Sequence, residues 1–123
     1  MTDSLAAFLQ ARLDEVEAAA VAAGGEGWKA LGTGVYSVDA LADDVPPIVT
    51  TGPEAGGSDE DAARAQHIAL HNPARVLREV KAKRAIIDFT ETPDGSFHKF
   101  TLLDPMALIY RDHPDFDPAW LEK

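Results

Sequence analysis

The chain has 123 residues, of which 46% are hydrophobic, and its formal net charge is −10 at pH 7. It contains no cysteine, which excludes disulfides, thiolate nucleophiles and any zinc site built on sulfur. A chain with this much negative charge repels phosphate backbones at long range. Its charge therefore disfavours direct nucleic-acid binding and favours a basic protein partner.

Length and composition predict one small domain that comprises residues 1–123. The first twenty residues have no basic leader, and charged residues interrupt their apolar positions. We therefore expect neither a signal peptide nor a membrane span, and we expect the protein to stay in the cytoplasm.

The N-terminal segment has the apolar spacing of a helix. Apolar residues recur at intervals of three and four between Leu5 and Ala20, which places them on one helical face. Ser4 or Asp3 is the predicted cap, and the predicted end is Gly24-Gly25.

Residues 28–51 have the composition of short strands. They are rich in Val, Thr and Tyr and are broken by glycines and by Pro46-Pro47, which predicts two or three strands joined by turns. The glycine-rich residues 52–58 that follow are predicted to form a mobile loop.

Two further helices are predicted on either side of Asn72-Pro73. Ser58, followed by three acidic residues, is the predicted cap of the second helix, which should end at Leu70 or His71. A proline disfavours the helical conformation of the residue before it and is well tolerated at the first position of a helix. The third helix should therefore start at Pro73.

The end of the third helix is ambiguous in the sequence. We expect it to continue to about Phe89, followed by a turn at residues 92–95 and a short strand. The alternative is a hairpin, in which residues 85–90 form a strand that pairs with residues 97–102 across the same turn.

The C-terminal segment is predicted to start with a short helical turn, capped by Asp104 and opened by Pro105. Tyr110, Phe116 and Trp120 follow, and we expect them to form an aromatic latch on the core, where Trp120→Ala would cost about 3–5 kcal/mol. Together the elements predict an α+β fold with three main helices, a small antiparallel sheet or hairpin and the C-terminal aromatic latch.

The third helix carries a basic outward face. Arg75, Arg78 and Lys81 are spaced so that two or three of them could bind phosphates or an acidic protein patch. Trp120 is a further candidate binding residue if its ring is exposed. The alternative is that these cations only pair with acidic residues of the first and second helices, where exposed ion pairs contribute about 0–1 kcal/mol each.

A histidine pair has the spacing of metal ligands on a helix. His67 and His71 lie four residues apart, so both rings could reach one zinc ion, with His113, His98 or a carboxylate as a further ligand. The alternative is that His71 caps the end of the second helix. We expect no cofactor, and zinc is the alternative.

Three segments carry a family resemblance. FLQARLDEVE, HIALHNPARVLREVKAKR and YRDHPDFDPAW occur in this order, with a tryptophan after a glycine stretch, and resemble a family of small uncharacterised proteins from actinobacteria and their phages. The resemblance covers most of the chain and implies no activity. It implies cysteines of a zinc knuckle before the C-terminal motif, whereas this chain reads IIDFTETPDGSFHKFTLLDP there.

The sequence leaves three functional hypotheses. It contains no nucleophile elbow, no phosphate-binding glycine loop and no HExxH motif, so we expect no enzyme. The leading hypothesis is an acidic, non-enzymatic binding protein of phage or prophage origin that acts on a host protein. The alternatives are a zinc-supported module using His67 and His71, and a structural protein that self-associates through apolar residues near Ile109, Phe116 and Trp120.

Overall fold

The computed structural model describes residues 3–38, 46–52 and 57–121. These residues form four α-helices and one three-stranded antiparallel sheet. The predicted α+β class is therefore confirmed. The elements in chain order are α1 (Asp3–Ala22), β1 (Trp28–Leu31), β2 (Gly34–Ser37), β3 (Val49–Thr50), α2 (Asp59–Leu70), α3 (Pro73–Thr90) and α4 (Lys99–Ala107), with 3₁₀ turns at Ser96–His98, Leu108–Tyr110 and Pro118–Leu121.

The chain divides into two compact units. The terminal unit consists of Met1–Ala18 and Glu79–Lys123, and the sheet unit consists of Ala19–Arg78. The single domain that we expected over residues 1–123 stays a prediction, and each unit is described by itself.

The sheet unit is built from three short strands and α2. The β1 and β2 strands pair antiparallel with Ala30 opposite Val35, and β2 pairs antiparallel with β3. Val35 and Ala65 are fully buried, and Ala69 joins them in a small core. The alanine side chains of α2 are short, so the helix packs closely on the sheet. The predicted strands are confirmed, whereas residues 39–45 and residues 53–56 of the predicted loop lie outside the described residues.

The first helix ends as predicted but starts earlier. Gly24 and Gly25 follow its end with φ values of +106° and +68°, a conformation that glycine adopts without the steric cost of a Cβ. Their amides donate to the carbonyls of Val21 and Ala20, which closes the last turn. Because α1 already includes Asp3 and Ser4, neither residue is the cap. The residue before Asp3 lies outside the described residues.

The predicted boundary between α2 and α3 is confirmed. Ser58 caps α2 in a capping box, in which its hydroxyl accepts from the Asp61 amide and its own amide donates to the Asp61 carboxylate. Asn72 serves both helices, because its side-chain amide donates to the Ala69 carbonyl and its side-chain oxygen accepts from the Arg75 amide. This double cap explains why α3 can begin at the next residue, Pro73.

The core of the terminal unit is helical. It is formed by one side of α1, by the C-terminal part of α3 and by α4. A side chain on each of these helices is almost completely shielded from water, which removes a large apolar area from solvent. Its large apolar side chains with at most 2% exposure are Leu5, Leu9, Leu13, Val80, Ile87 and Leu103.

The predicted strand after the third helix is wrong, because residues 96–107 are helical. The buried side chains Lys99, Leu103, Met106 and Ala107 recur at helical spacing, which outweighs the turn signal before them. The alternative hairpin is wrong for the same reason, and Asp104-Pro105 does not start a helix because Pro105 lies inside α4.

Candidate functional site

The sheet unit contains a cavity of about 480 Å³ that includes two of the three predicted binding cations, Arg75 and Arg78. Three elements form it: β1, the C-terminal part of α2 and the first two turns of α3. The described residues that line it are Trp28, Lys29, Ala30, Gln66, Ala69, Leu70, Asn72, Arg75 and Arg78.

The two arginines differ in their surroundings. Arg75 is partly buried, and its guanidinium donates to the Leu70 carbonyl at 3.1 Å, near the negative end of α2. Arg78 is exposed and forms no ion pair with another residue in the described part of the chain. Its charge is therefore available at the mouth of the cavity.

The acids that were expected to pair with Arg75, Arg78 and Lys81 pair with two other arginines. Glu17 and Asp14 of α1 accept from Arg84 at 2.9 and 2.6 Å. In α2, Glu60 and Asp61 accept from Arg64. These four acids therefore pair with arginines that do not line the cavity.

Trp28 lines the cavity but was not among the binding residues predicted from the sequence. Its ring packs on the Val35–Ala65–Ala69 core, and its indole nitrogen Nε1 is buried without an acceptor among the described residues. Buried polar groups usually have a hydrogen-bond partner, and a tryptophan N–H usually finds one. Its place after a glycine stretch and at the start of a strand was the available signal.

The two other predicted binding residues belong to the terminal unit. Lys81 is exposed on α3, beyond the part of the helix that lines the cavity. Trp120 lies on the C-terminal segment and is partly buried. The four predicted binding residues therefore do not all line one cavity.

The C-terminal aromatic latch packs on Phe8 of α1, as predicted. The ring centroids of Trp120, Phe116 and Tyr110 lie 5.0, 6.2 and 6.2 Å from that of Phe8, and the last two pairs are edge-on. Trp120 and Phe116 also contact each other at 5.2 Å. Edge-on and tilted rings place a positive ring edge near a negative ring face, which is the favoured arrangement.

A buried arginine lies beneath this latch. Arg12 is only 8% exposed, and its guanidinium carbon lies 5.1 Å from the centre of the Phe8 ring. The same group donates to Glu15 and to Nδ1 of His113, both at 2.8 Å. Arg12 was not among the candidates predicted from the sequence, although its place four residues after Phe8 on the apolar face of α1 is a signal that could have identified it.

His113 is held by two donors. Its Nδ1 lies 2.8 Å from the Arg12 guanidinium and 3.0 Å from the amide nitrogen of Asp115. Since both of these groups can only donate, Nδ1 must be the acceptor nitrogen of the ring. This use of His113 is structural, because it joins the latch to α1.

A groove of about 390 Å³ opens beside the latch, with Phe8 and Trp120 as its aromatic lining. Asp115 and Asp117 are exposed and carry carboxylates in its lining. The other described residues of its lining are Ser4, Ala7, Ala11 and Arg12.

The Arg12 guanidinium forms ion pairs with two carboxylates beside the latch, Glu15 and Asp115. Asp115 lies 3.8 Å from the Arg12 guanidinium, and its side chain is 76% exposed. Burial raises the pKa of the Tyr110 phenol, while the Arg12 charge acts in the opposite direction. Asp117 accepts from the Ala119 amide, which fixes the backbone at the end of the latch.

The histidine pair of α2 has the geometry of a helix end. The rings of His67 and His71 lie 4.5 Å apart, and both side chains are exposed. The Nδ1–H of His71 donates to the His67 carbonyl at 2.8 Å, as expected for a residue that caps a helix. Within the described residues, no group of three or more His, Asp or Glu side chains could hold a metal ion.

Comparison with known proteins identifies a family. The model of a family of unknown function, DUF6221, matches residues 2–122. The chain therefore belongs to the DUF6221 family, which agrees with the resemblance to uncharacterised proteins. No curated protein and no solved structure matches the chain. Among the helices that the structure describes, none is long and apolar enough to cross a membrane.

Proposed function

We propose that this protein is a non-enzymatic binding protein that captures a basic segment of a partner protein in the groove beside the latch. One observation carries the proposal: two exposed carboxylates, Asp115 and Asp117, line a groove whose aromatic residues are Phe8 and Trp120. A lysine or arginine side chain combines an apolar stem with a cationic head, so it matches both parts of this lining.

The interaction of Arg12 with Phe8 supports this chemistry. A guanidinium already lies over one aromatic ring of the groove at 5.1 Å, next to the carboxylate of Glu15. Aromatic rings attract cations that approach their faces, and Trp is the best of them. A cation from a partner would find Trp120 and the two exposed aspartates in the same groove.

The charge of the segment also supports a basic partner. Residues 112–117 contain three aspartates and no basic residue other than His113. Charge complementarity of this kind increases the rate of association and weakens as salt is added. The net charge of −10 acts in the same direction over longer distances.

The test is a titration with a lysine-rich peptide. Binding is monitored through the indole N–H signal of Trp120 in a nitrogen–proton NMR spectrum. We expect the signal to shift saturably and the affinity to fall as salt increases. In Asp115→Asn/Asp117→Asn the affinity should fall about fivefold, because each exposed charge pair contributes about 0.2–1 kcal/mol. Asparagine retains the oxygen that Asp117 uses to accept from Ala119.

The matched control is Asp88→Asn/Asp94→Asn, which removes two exposed charges elsewhere in the terminal unit. This variant should bind within about twofold of the wild type, because its carboxylates do not line the groove. Equal weakening in both double variants would mean that only net charge attracts the peptide, and the groove proposal would be abandoned.

A second candidate function is self-association. Ile109 is 59% exposed and Phe97 is 87% exposed, and exposed apolar side chains favour contacts between proteins. Sedimentation equilibrium tests it, since a constant monomer mass over a wide concentration range would exclude it. The cytoplasmic location and the phage or prophage origin stay predictions from the sequence.

A further inference from the structure

The cavity of the sheet unit is rich in donors and cations. Among its described lining residues, Lys29, Arg75 and Arg78 are basic, Gln66 and Asn72 carry amides, and none is acidic. These three basic residues line one cavity in a chain with a net charge of −10. A concave site with cations of one sign concentrates ligands of the opposite sign.

The indole of Trp28 is a second, independent observation. Trp28 lines the same cavity and is partly buried, whereas its Nε1 atom is shielded from solvent. A flat aromatic ring in the lining can pack against the apolar part of a ligand. The N–H signal of Trp28 should therefore report on a ligand that packs against this ring.

The positive end of α3 is not the source of this site. The Ala74 amide donates to the Glu26 carbonyl at 3.1 Å, and the Arg75 amide donates to the side-chain oxygen of Asn72 at 2.9 Å. Side chains, rather than free helix amides, must then supply the contacts to an anion.

We propose that this cavity binds a small organic phosphate. The phosphate oxygens lie against the guanidinium groups of Arg75 and Arg78, and the organic part lies against the apolar lining residues Trp28, Ala30 and Leu70. Guanidinium groups form two parallel hydrogen bonds to carboxylates and to phosphates alike. A phosphate monoester has three free oxygens and a charge of about −2 at pH 7, so one phosphate can bind two arginines at once, which favours it over a single carboxylate.

The size of the cavity fits this class of ligand. Its volume of about 480 Å³ lies in the range of small-molecule sites, about 300–1,000 Å³. Such sites combine apolar lining with a few well-placed polar groups, as here. This site is separate from the latch groove, so the proposal does not depend on the proposed function.

The experiment uses phenyl phosphate as the probe, because it joins one phosphate to one flat apolar ring. The chain has two tryptophans, so a nitrogen–proton spectrum contains two indole N–H signals, which Trp28→Phe and Trp120→Phe assign. We expect phenyl phosphate to shift the Trp28 signal saturably while the Trp120 signal stays in place. Inorganic phosphate and benzoate should each bind more weakly, because each lacks one half of the probe.

Arg78→Gln and Lys81→Gln form a matched pair on α3. Both side chains are exposed and both changes remove one positive charge, but only Arg78 lines the cavity. We expect Arg78→Gln to weaken phenyl phosphate binding about tenfold, as the loss of a charge-assisted hydrogen bond does, and Lys81→Gln to change it less than about twofold. Unchanged melting temperatures show that both variants are folded.

Four results would overturn the proposal. They are the absence of a saturable shift at Trp28, an equal shift at Trp120, equal weakening by the two variants, and binding of benzoate as tight as that of phenyl phosphate. The last result would assign the cavity to carboxylates instead of phosphates.

Discussion

Removing the Trp120 ring tests whether the latch stabilises the terminal unit. The ring is partly buried and lies 5.0 Å from Phe8 and 5.2 Å from Phe116. Trp120→Ala deletes both contacts and exposes part of the Phe8 ring to water. The variant should therefore be less stable than the wild type.

The magnitude follows from the buried area. A tryptophan buries about 150–250 Å² when it is well covered, so a partly exposed ring buries about 100 Å². At about 25 cal/mol per Å² this area contributes about 2.5 kcal/mol. The expected cost of Trp120→Ala is thus about 2–3 kcal/mol, below the value of about 3–5 kcal/mol expected for a fully buried ring.

The assay is thermal unfolding followed by far-ultraviolet circular dichroism. In a chain of 123 residues a loss of about 2–3 kcal/mol lowers Tm by about 10 °C. Trp120→Phe should restore about half of the loss, because it retains a ring beside Phe8. Ile109→Ala is the control, since that side chain is 59% exposed and should change stability by about 0.5 kcal/mol at most.

An unchanged Tm for Trp120→Ala would refute the reasoning. It would show that the ring does not pack on Phe8 and that the latch contributes no stability. A decrease in Tm for Ile109→Ala as large as that for Trp120→Ala would also contradict the reasoning. The exposure of a side chain would then not determine how much stability its removal costs.

Two further predictions concern the turn before α4 and the cap of α2. Gly95→Ala should cost about 1–3 kcal/mol, because its Cβ would collide with the Phe89 carbonyl, whereas Asp94→Ala next to it should be nearly neutral in the same unfolding assay. Ser58→Ala should cost about 1 kcal/mol in that assay, as the loss of a helix cap does. The Ser58 amide, the Ser58 hydroxyl and Arg64 hold the pKa of Asp61 below its usual value of 3.8, so Ser58→Ala should raise this pKa. A carboxyl-carbon NMR titration that finds no change in the pKa would contradict this prediction. Because folding lowers the pKa of this carboxylate, Asp61 stabilises the folded state above pH 3.8. This stabilisation is lost as the pH falls through the pKa of the folded state, so the effect of Asp61 on stability should vanish at low pH.

Much of the fold could be predicted because the signals were local. Pro73 fixed the start of α3, Ser58 with three acids fixed the start of α2, and Gly24 marked the end of α1. In each case a single residue type determines the backbone conformation or supplies the cap, so distant contacts were not needed.

The region after α3 could not be predicted because two local signals disagreed. The turn residues at 92–95 favour a hairpin, whereas Leu103, Met106 and Ala107 recur at helical spacing. In the structure the Thr92 side chain accepts from the Gly95 amide, which makes the turn without making a hairpin. The burial of the helical face then decides the element, and burial depends on tertiary packing.

The candidate sites could also be predicted only in part, because they depend on tertiary packing. The sequence identifies Arg75, Arg78, Lys81 and Trp120 as binding candidates, but the role of an arginine depends on its neighbours in space. Arg12 is buried under the latch and Arg84 pairs with Asp14 and Glu17 of α1, whereas Arg78 is exposed at a cavity. Residue type and helical face alone do not distinguish these three environments.

The two tryptophans make the two binding proposals separable in one experiment. Trp28 lines the basic cavity of the sheet unit and Trp120 lines the acidic groove of the terminal unit. Because the linings carry opposite charge, a lysine-rich peptide should shift the Trp120 signal and phenyl phosphate should shift the Trp28 signal. The two linings attract ions of opposite charge. A ligand that shifted both indole signals would therefore bind through interactions other than local charge complementarity. Salt should weaken both interactions, so the identity of the shifted signal, and not salt dependence, distinguishes the sites.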